Sequence, residues 1–168
     1  MAMNEPFNAR RFDRRLFAAV AILFPVAVLI GFAPTYYLKL AFNSPPLNLL
    51  VHAHGLFMTA WIALFMTQVF LISSKRVKTH QRLGILGIIL APILVALGVM
   101  TGIASAARGG GVPGIPPLSF LIVPLGDVFV FAILFAGAMY YRRKPANHKR
   151  LMLLTVLNFL PPALGRFP

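Results

Sequence analysis

Residues 83–104 read LGILGIILAPILVALGVMTGIA, twenty-two consecutive residues without a charge. At about 1.5 Å per helical residue, such a stretch matches the hydrocarbon core of a bilayer, which is about 30 Å thick. Stretches of similar length and apolar character lie at about residues 16–38, 47–72 and 118–141, and a shorter one lies at 151–165. The pattern predicts an all-α integral membrane helical bundle with four full transmembrane helices and a short fifth.

The composition indicates that lipid is the solvent of this chain. Of its 168 residues, 59% are hydrophobic and 11% are charged, whereas a soluble domain has roughly 25% charged residues. The absence of cysteine excludes disulfides, iron–sulfur clusters and the usual covalently attached haem. The net charge of +13 comes from short clusters between the apolar stretches. We therefore expect contacts with the bilayer and with anionic phospholipid headgroups at its cytoplasmic face, and no binding of nucleic acid.

The distribution of basic residues predicts the orientation. Thirteen of the sixteen lysines and arginines lie on one side of the predicted spans: in the N-terminal tail, in the loop after the second span and in the loop after the fourth. Basic residues accumulate on the cytoplasmic side of a membrane. We therefore expect a bacterial inner-membrane protein with a cytoplasmic N-terminus, a basic cytoplasmic tail over residues 1–15 and a single transmembrane domain over 16–168.

The fifth apolar stretch is too short for a regular span. Residues 151–165 are uncharged but include Pro161 and Pro162, and a full span needs about 20 residues. We expect a helix that is interfacial, or kinked and shallow, or else a chain that is a piece of a longer protein.

An internal similarity occurs at an offset of 68 residues. Residues 79–83, Thr-His-Gln-Arg-Leu, correspond to residues 147–151, Asn-His-Lys-Arg-Leu, and Trp61 corresponds to Phe129. In both copies the histidine follows a good helix N-cap residue. The two copies have the same membrane direction, which predicts a parallel repeat of a two-helix hairpin about an axis along the membrane normal. Chance similarity between basic loops is the alternative.

His80 and His148 are the candidates for a cofactor site. The repeat would place them at equivalent depth on facing helices, as bis-histidine ligation of the iron of haem b requires. The neighbouring Arg82 and Arg150 would suit the haem propionates. The alternative is that these basic helix starts bind lipid phosphates.

A second polar set lies within the apolar stretches. His54, Trp61 and Gln68 are spaced seven apart and share one helix face, which we expect to face the bundle because polar side chains rarely face lipid. Asp127 is the only acid inside the hydrocarbon zone. Unpaired, it would cost about 2.5–3.5 kcal/mol. His54 is its expected partner and Asn158 the other candidate, in a proton-accepting or cofactor site, or in a hydrogen bond between helices.

Catalytic patterns are missing from the sequence. It has no Ser/His/Asp arrangement, no phosphate-binding glycine loop and no paired carboxylates. We therefore predict no catalytic residues, and an enzyme is less expected than a binding or structural protein.

Two motifs resemble a family of bacterial multi-pass membrane proteins whose shared domain has no assigned function. The first motif combines His54, Trp61 and Gln68 with Arg76-(three residues)-His80-Gln-Arg82-Leu-Gly84, and the second is Arg143-Lys-Pro-Ala-Asn-His148-Lys-Arg150-Leu-Met. The resemblance covers roughly residues 47–166 and implies a fold more than a chemistry. The chain is more distantly similar to two-haem cytochrome b membrane proteins, whose ligand histidines lie deeper in the helices.

The sequence leaves three functions open. The first is a haem-binding protein associated with membrane electron transfer, which uses His80 and His148, with His54 and Asp127 as a second site. The second is a non-catalytic accessory or assembly subunit, with another membrane protein or a second copy of itself as partner. The third is a small proton-coupled transporter that uses Asp127 and His54.

The orientation can be tested with reporter fusions. A reporter fused after Lys78 or after Lys144 is expected to be cytoplasmic, and one placed within residues 109–111 is expected to be external, because thirteen basic residues lie on the first side. The reverse pattern of reporter activity would invert the orientation of the whole bundle.

Overall fold

The computed structural model describes residues 7–167, with side chains from residue 12 onward except that of residue 14. All regular structure in this part of the chain is helical, so the predicted all-α class is confirmed. The helices are α1 (Phe7–Phe32, continued by a π-helical turn Ala33–Tyr37), α2 (Leu49–Ser73), α3 (Val77–Ala107), α4 (Pro117–Phe120), α5 (Ile122–Tyr140), α6 (Pro145–Leu157) and α7 (Leu160–Leu164).

Four segments are long and apolar enough to span a membrane. They are Arg15–Tyr37, Leu49–Ser73, Val77–Ala107 and Pro117–Tyr140. With α6 and α7 as the short fifth element, this confirms the predicted membrane bundle. Helix α1 already begins at Phe7, so residues 7–15 of the predicted tail extend the first span as helix, while residues 1–6 of that tail lie outside the described residues.

The fifth element is kinked. Helix α6 ends at Leu157, and α7 begins after a break of two residues. Pro161 and Pro162 lie in the first turn of α7, where a proline needs no partner for its missing N–H. Neither proline could continue α6, because proline removes a backbone hydrogen bond inside a helix.

Helices α3 and α6 begin at positions that differ by 68 residues, like the internal similarity. His80 and His148 are each the fourth residue of their helix. The predicted N-caps at residues 79 and 147 are wrong, because the caps are Arg76 and Lys144, without a side-chain cap bond. The turns before α3 and α6 are short, and in the turn before α3 Lys75 has a φ of 59°. Both helices therefore begin before their apolar stretches begin.

The repeat itself stays a prediction. Hairpins α2–α3 and α5–α6 both form, but the proposed correspondence of Trp61 with Phe129 is not matched by their environments. Trp61 is 2% exposed and Phe129 is 65% exposed.

The helices pack in a closed ring. Helix α1 packs on α2, α2 on α3, α3 on α5 and α5 on α6, and α1 in turn contacts both α6 and α7. One core joins α1, α2, α6 and α7, and contains Phe24, Phe65 and Val156. The other joins α2, α3 and α5, where the rings of Trp61 and Phe131 meet edge-on at 5.3 Å. In lipid, this van der Waals packing holds the helices together, because burial from lipid adds little hydrophobic driving force.

Close contact between α1 and α7 depends on Gly31. A Cβ at residue 31 would overlap the carbonyl group of Ala163. Because both sides of this contact are backbone, no flexible side chain can move to make room.

Gly31→Ala is therefore expected to destabilise the protein by about 1–3 kcal/mol, by forcing α1 and α7 apart. The matched control is Gly126→Ala, because a Cβ at Gly126 meets nothing within 4 Å. This variant should be neutral or up to about 1 kcal/mol more stable, from its better helix propensity. The measurement is the free energy of unfolding in mixed micelles, and equal effects of the two substitutions would contradict the packing argument.

Candidate functional site

A cavity of about 860 Å³ lies at the end of the bundle that carries the turns of residues 74–76 and 141–144. We call this the basic end. Helices α1, α2, α3, α5 and α6 all contribute to the cavity wall, which is mostly apolar and includes Trp61 and Phe135. The polar residues of the wall lie mainly in the loops of residues 74–76 and 141–144 and in the first helical turns of α3 and α6.

His80 and His148 both line this cavity and come together. Their ring centres are 6.3 Å apart, and the ring planes are inclined at 79°. The two histidines therefore face each other from α3 and α6, as expected if they form one site.

The orientation of the His148 ring is fixed by a hydrogen bond. Its Nδ1 lies 2.9 Å from the carbonyl oxygen of Ala138, near the end of α5. A carbonyl oxygen only accepts, so Nδ1 carries a proton, and in the neutral imidazole the lone pair is then on Nε2. Within residues 7–167, no hydrogen bond engages Nε2 of either His148 or His80. The Nε2 atom of each ring is therefore not used by the described residues, and neither is Nδ1 of His80.

Buried polar atoms without partners are concentrated around this cavity. Nε1 of Trp61, Oε1 of Gln68 and Nδ1 of His80 are buried and lack a hydrogen bond within the described residues, and all three side chains belong to its wall. Gln68 does donate from Nε2 to the backbone carbonyl of His80, at 3.2 Å. Each unsatisfied buried group costs about 1–3 kcal/mol, so water or a bound molecule is the expected partner.

The charged residues of the cavity wall are not the ones that the sequence predicts. The predicted propionate partners, Arg82 and Arg150, are exposed and lie outside the wall. Arg82 follows His80 by two residues, which places it about 200° around the helix, on another face. The charged residues of the wall are Lys75, Arg142, Arg143, Lys149 and Asp13.

An ion pair joins two of these charged residues. The carboxylate of Asp13 in α1 contacts the ammonium group of Lys149 in α6. Asp13 is one of only three acidic residues in the chain. Its place among arginines in the N-terminal segment is the signal that could have directed attention to it.

The residues of the second predicted site make one hydrogen bond between helices. Within the described residues no hydrogen bond joins His54 to Asp127, and His54 Nδ1 is buried without a partner. Instead, the side-chain amide of Asn158 donates to the backbone carbonyl of Asp127, at 2.8 Å. The approach of His54 to Asp127, directly or through a water, therefore stays a prediction, and Asn158, the other candidate, binds the main chain of Asp127.

The three residues of the α2 face do not all reach the cavity. Trp61 and Gln68 both line the cavity, as their shared helix face predicts, but His54 does not.

The comparisons with known proteins do not identify the site. No protein-family model, no curated protein and no solved structure matches the chain. The resemblance to a bacterial membrane protein family therefore stays a prediction.

The contact between Asn158 and Asp127 predicts a contrast between two substitutions. Asn158→Leu is expected to lower the free energy of unfolding by about 0.5–1.5 kcal/mol, because it removes the donor to a backbone carbonyl inside the bundle. Asp127→Asn should change it by no more than about 0.5 kcal/mol, since the backbone acceptor remains. Unfolding in mixed micelles measures both, and a larger loss for Asp127→Asn would show that the carboxylate has a structural partner.

Proposed function

We propose that the cavity at the basic end binds haem b, and that Nε2 of His80 and Nε2 of His148 would hold its iron. The protein then serves membrane electron transfer at the cytoplasmic face of a bacterial inner membrane. The bound haem would supply one-electron redox chemistry, and the protein supplies the ligands, the apolar enclosure and the charged rim.

The separation of the two imidazole rings carries this proposal. A histidine nitrogen lies about 2 Å from a bound metal ion, so two imidazoles on opposite sides of one ion have ring centres about 6 Å apart. The rings of His80 and His148 are 6.3 Å apart. Their steep mutual inclination is compatible with axial ligation, because each ring needs only to direct its own nitrogen at the iron.

The hydrogen bond of His148 supports the same assignment. Histidines that ligate a metal generally donate their other ring N–H to a carbonyl or carboxylate, which fixes the tautomer and raises the basicity of the ligating nitrogen. His148 makes this bond to Ala138. His80 makes no such bond within the described residues, where its Nδ1 is buried without a partner and Gln68 binds only its backbone carbonyl.

The cavity wall suits a large, flat and mostly apolar molecule with an anionic edge. Its volume of about 860 Å³ falls in the range of about 300–1,000 Å³ that is typical of ligand sites. Trp61 and Phe135 offer aromatic surface, while Gly84 and Gly87 contribute wall without side chains. The basic residues at the rim would pair with haem propionates.

The test is the absorption spectrum of the protein purified in detergent. We expect a Soret band, and α and β bands that sharpen on reduction, as for a low-spin bis-histidine haem. His80→Ala and His148→Ala should each abolish the low-spin spectrum, because each removes one axial ligand. His52→Ala is the control, since His52 is exposed and lies outside the cavity wall.

The proposal would be overturned by a protein that shows no haem bands and binds no added haemin. The accessory-subunit hypothesis would then lead, with the basic end in contact with lipid phosphates.

A further inference from the structure

The cavity contains a carboxylate of the protein itself. Asp13 is the only acidic residue among the described residues of its wall. It is paired with Lys149, and the side chains of Asp13 and Lys149 are 25% and 33% exposed. The basic end therefore has a cation that already binds a carboxylate at the edge of the cavity.

Asp13 precedes the part of α1 that belongs to the buried core. The residues of α1 in the buried hydrophobic cluster are Ala21, Phe24 and Val28, all further along the helix. At the cavity, α1 contributes Asp13 together with Phe17 and Ala18. The ion pair with Lys149 thus joins the first part of α1 to α6, one turn before Phe17, which packs against the core.

We infer that Lys149 is the carboxylate-binding residue of the cavity and that Asp13 occupies the position of a ligand carboxylate. The inference rests on the proposed function, which makes the ligand a tetrapyrrole with two propionates. One propionate competes with Asp13 for Lys149, and Arg142 and Arg143 lie in the same wall for the other.

Chemistry and position both favour this exchange. An ammonium group is a compact point charge that donates hydrogen bonds to any carboxylate in reach, so a propionate can replace the aspartate without new geometry. Lys149 also follows His148 directly in the first turns of α6. A carboxylate held there stays beside the histidine that binds the iron, whereas Arg82 lies outside the wall.

The competition predicts opposite effects of the two partners on affinity. Asp13→Asn should bind haemin about two- to fivefold more tightly, because it removes the competing carboxylate, and Lys149→Gln should bind it about two- to fivefold more weakly. Lys149→Arg keeps the cation and should stay near the wild type.

The experiment titrates haem-depleted full-length protein in non-ionic detergent with haemin and, separately, with haemin dimethyl ester. The ester lacks the propionate charges, so Asp13→Asn and Lys149→Gln should bind it as the wild type does. Arg82→Gln is the control, and it should leave the affinity for both porphyrins unchanged because Arg82 lies outside the wall.

The outcomes separate this inference from the proposed function. If the wild type binds neither porphyrin through the histidine pair, the proposed function fails, and this inference fails with it. If the wild type binds haemin but the Asp13 and Lys149 variants match it, only this inference is overturned. Equal changes for haemin and its ester would also overturn it, because they would show a general effect on the fold.

Discussion

The hydrocarbon interior of a membrane offers backbone N–H and C=O groups no hydrogen-bond partner, and the rest of this structure depends on that constraint. Every spanning segment must satisfy its backbone internally, so the chain crosses as helices and turns only where polar contact is available. The short turns of residues 74–76 and 141–144 are such places. They bring the starts of α3 and α6 to one end of the ring, and the candidate site is assembled there.

The same constraint governs where polar side chains are found. The ring of helices packs through apolar and aromatic contacts over most of its height, with Phe24, Phe65 and Phe131 among the buried residues. Of the five described residues with a buried polar side-chain atom that lacks a partner, three, Trp61, Gln68 and His80, lie along the wall of one cavity. Packing alone does not require unpaired polar side chains along one cavity wall. The cavity is therefore the part of the fold where a chemical role is expected.

Much of the architecture was predictable from sequence because hydropathy and charge act locally. The four spans and the short fifth follow from apolar length, but the starts of α3 and α6 do not. Their first turns are basic and continue the helix beyond the apolar stretch, which begins at Leu83 in one case and Leu151 in the other. The approach of His80 to His148 was predictable because both lie in the first turns of helices that begin at the same end of the bundle. The contact of Asn158 with the Asp127 carbonyl was open in the sequence, since it depends on how α5 and the end of α6 pack together. The position of Arg82 outside the cavity wall could have been deduced from helical periodicity. The ion pair of Asp13 with Lys149 could not, because it joins residues 136 positions apart and has no local signature in the sequence.

The bond between His148 and Ala138 also limits how the chain can vary. Ala138 lies in the last turn of α5, where carbonyl groups lack a partner within their own helix, so the imidazole of α6 completes the end of the preceding helix. One residue inserted into or deleted from the turn of residues 141–144 would rotate α6 by about 100° and shift it by about 1.5 Å. That change would carry the ring away from the carbonyl and away from His80 at once. The length of this turn is therefore part of the site, and we expect it to tolerate substitution far better than any change in residue number.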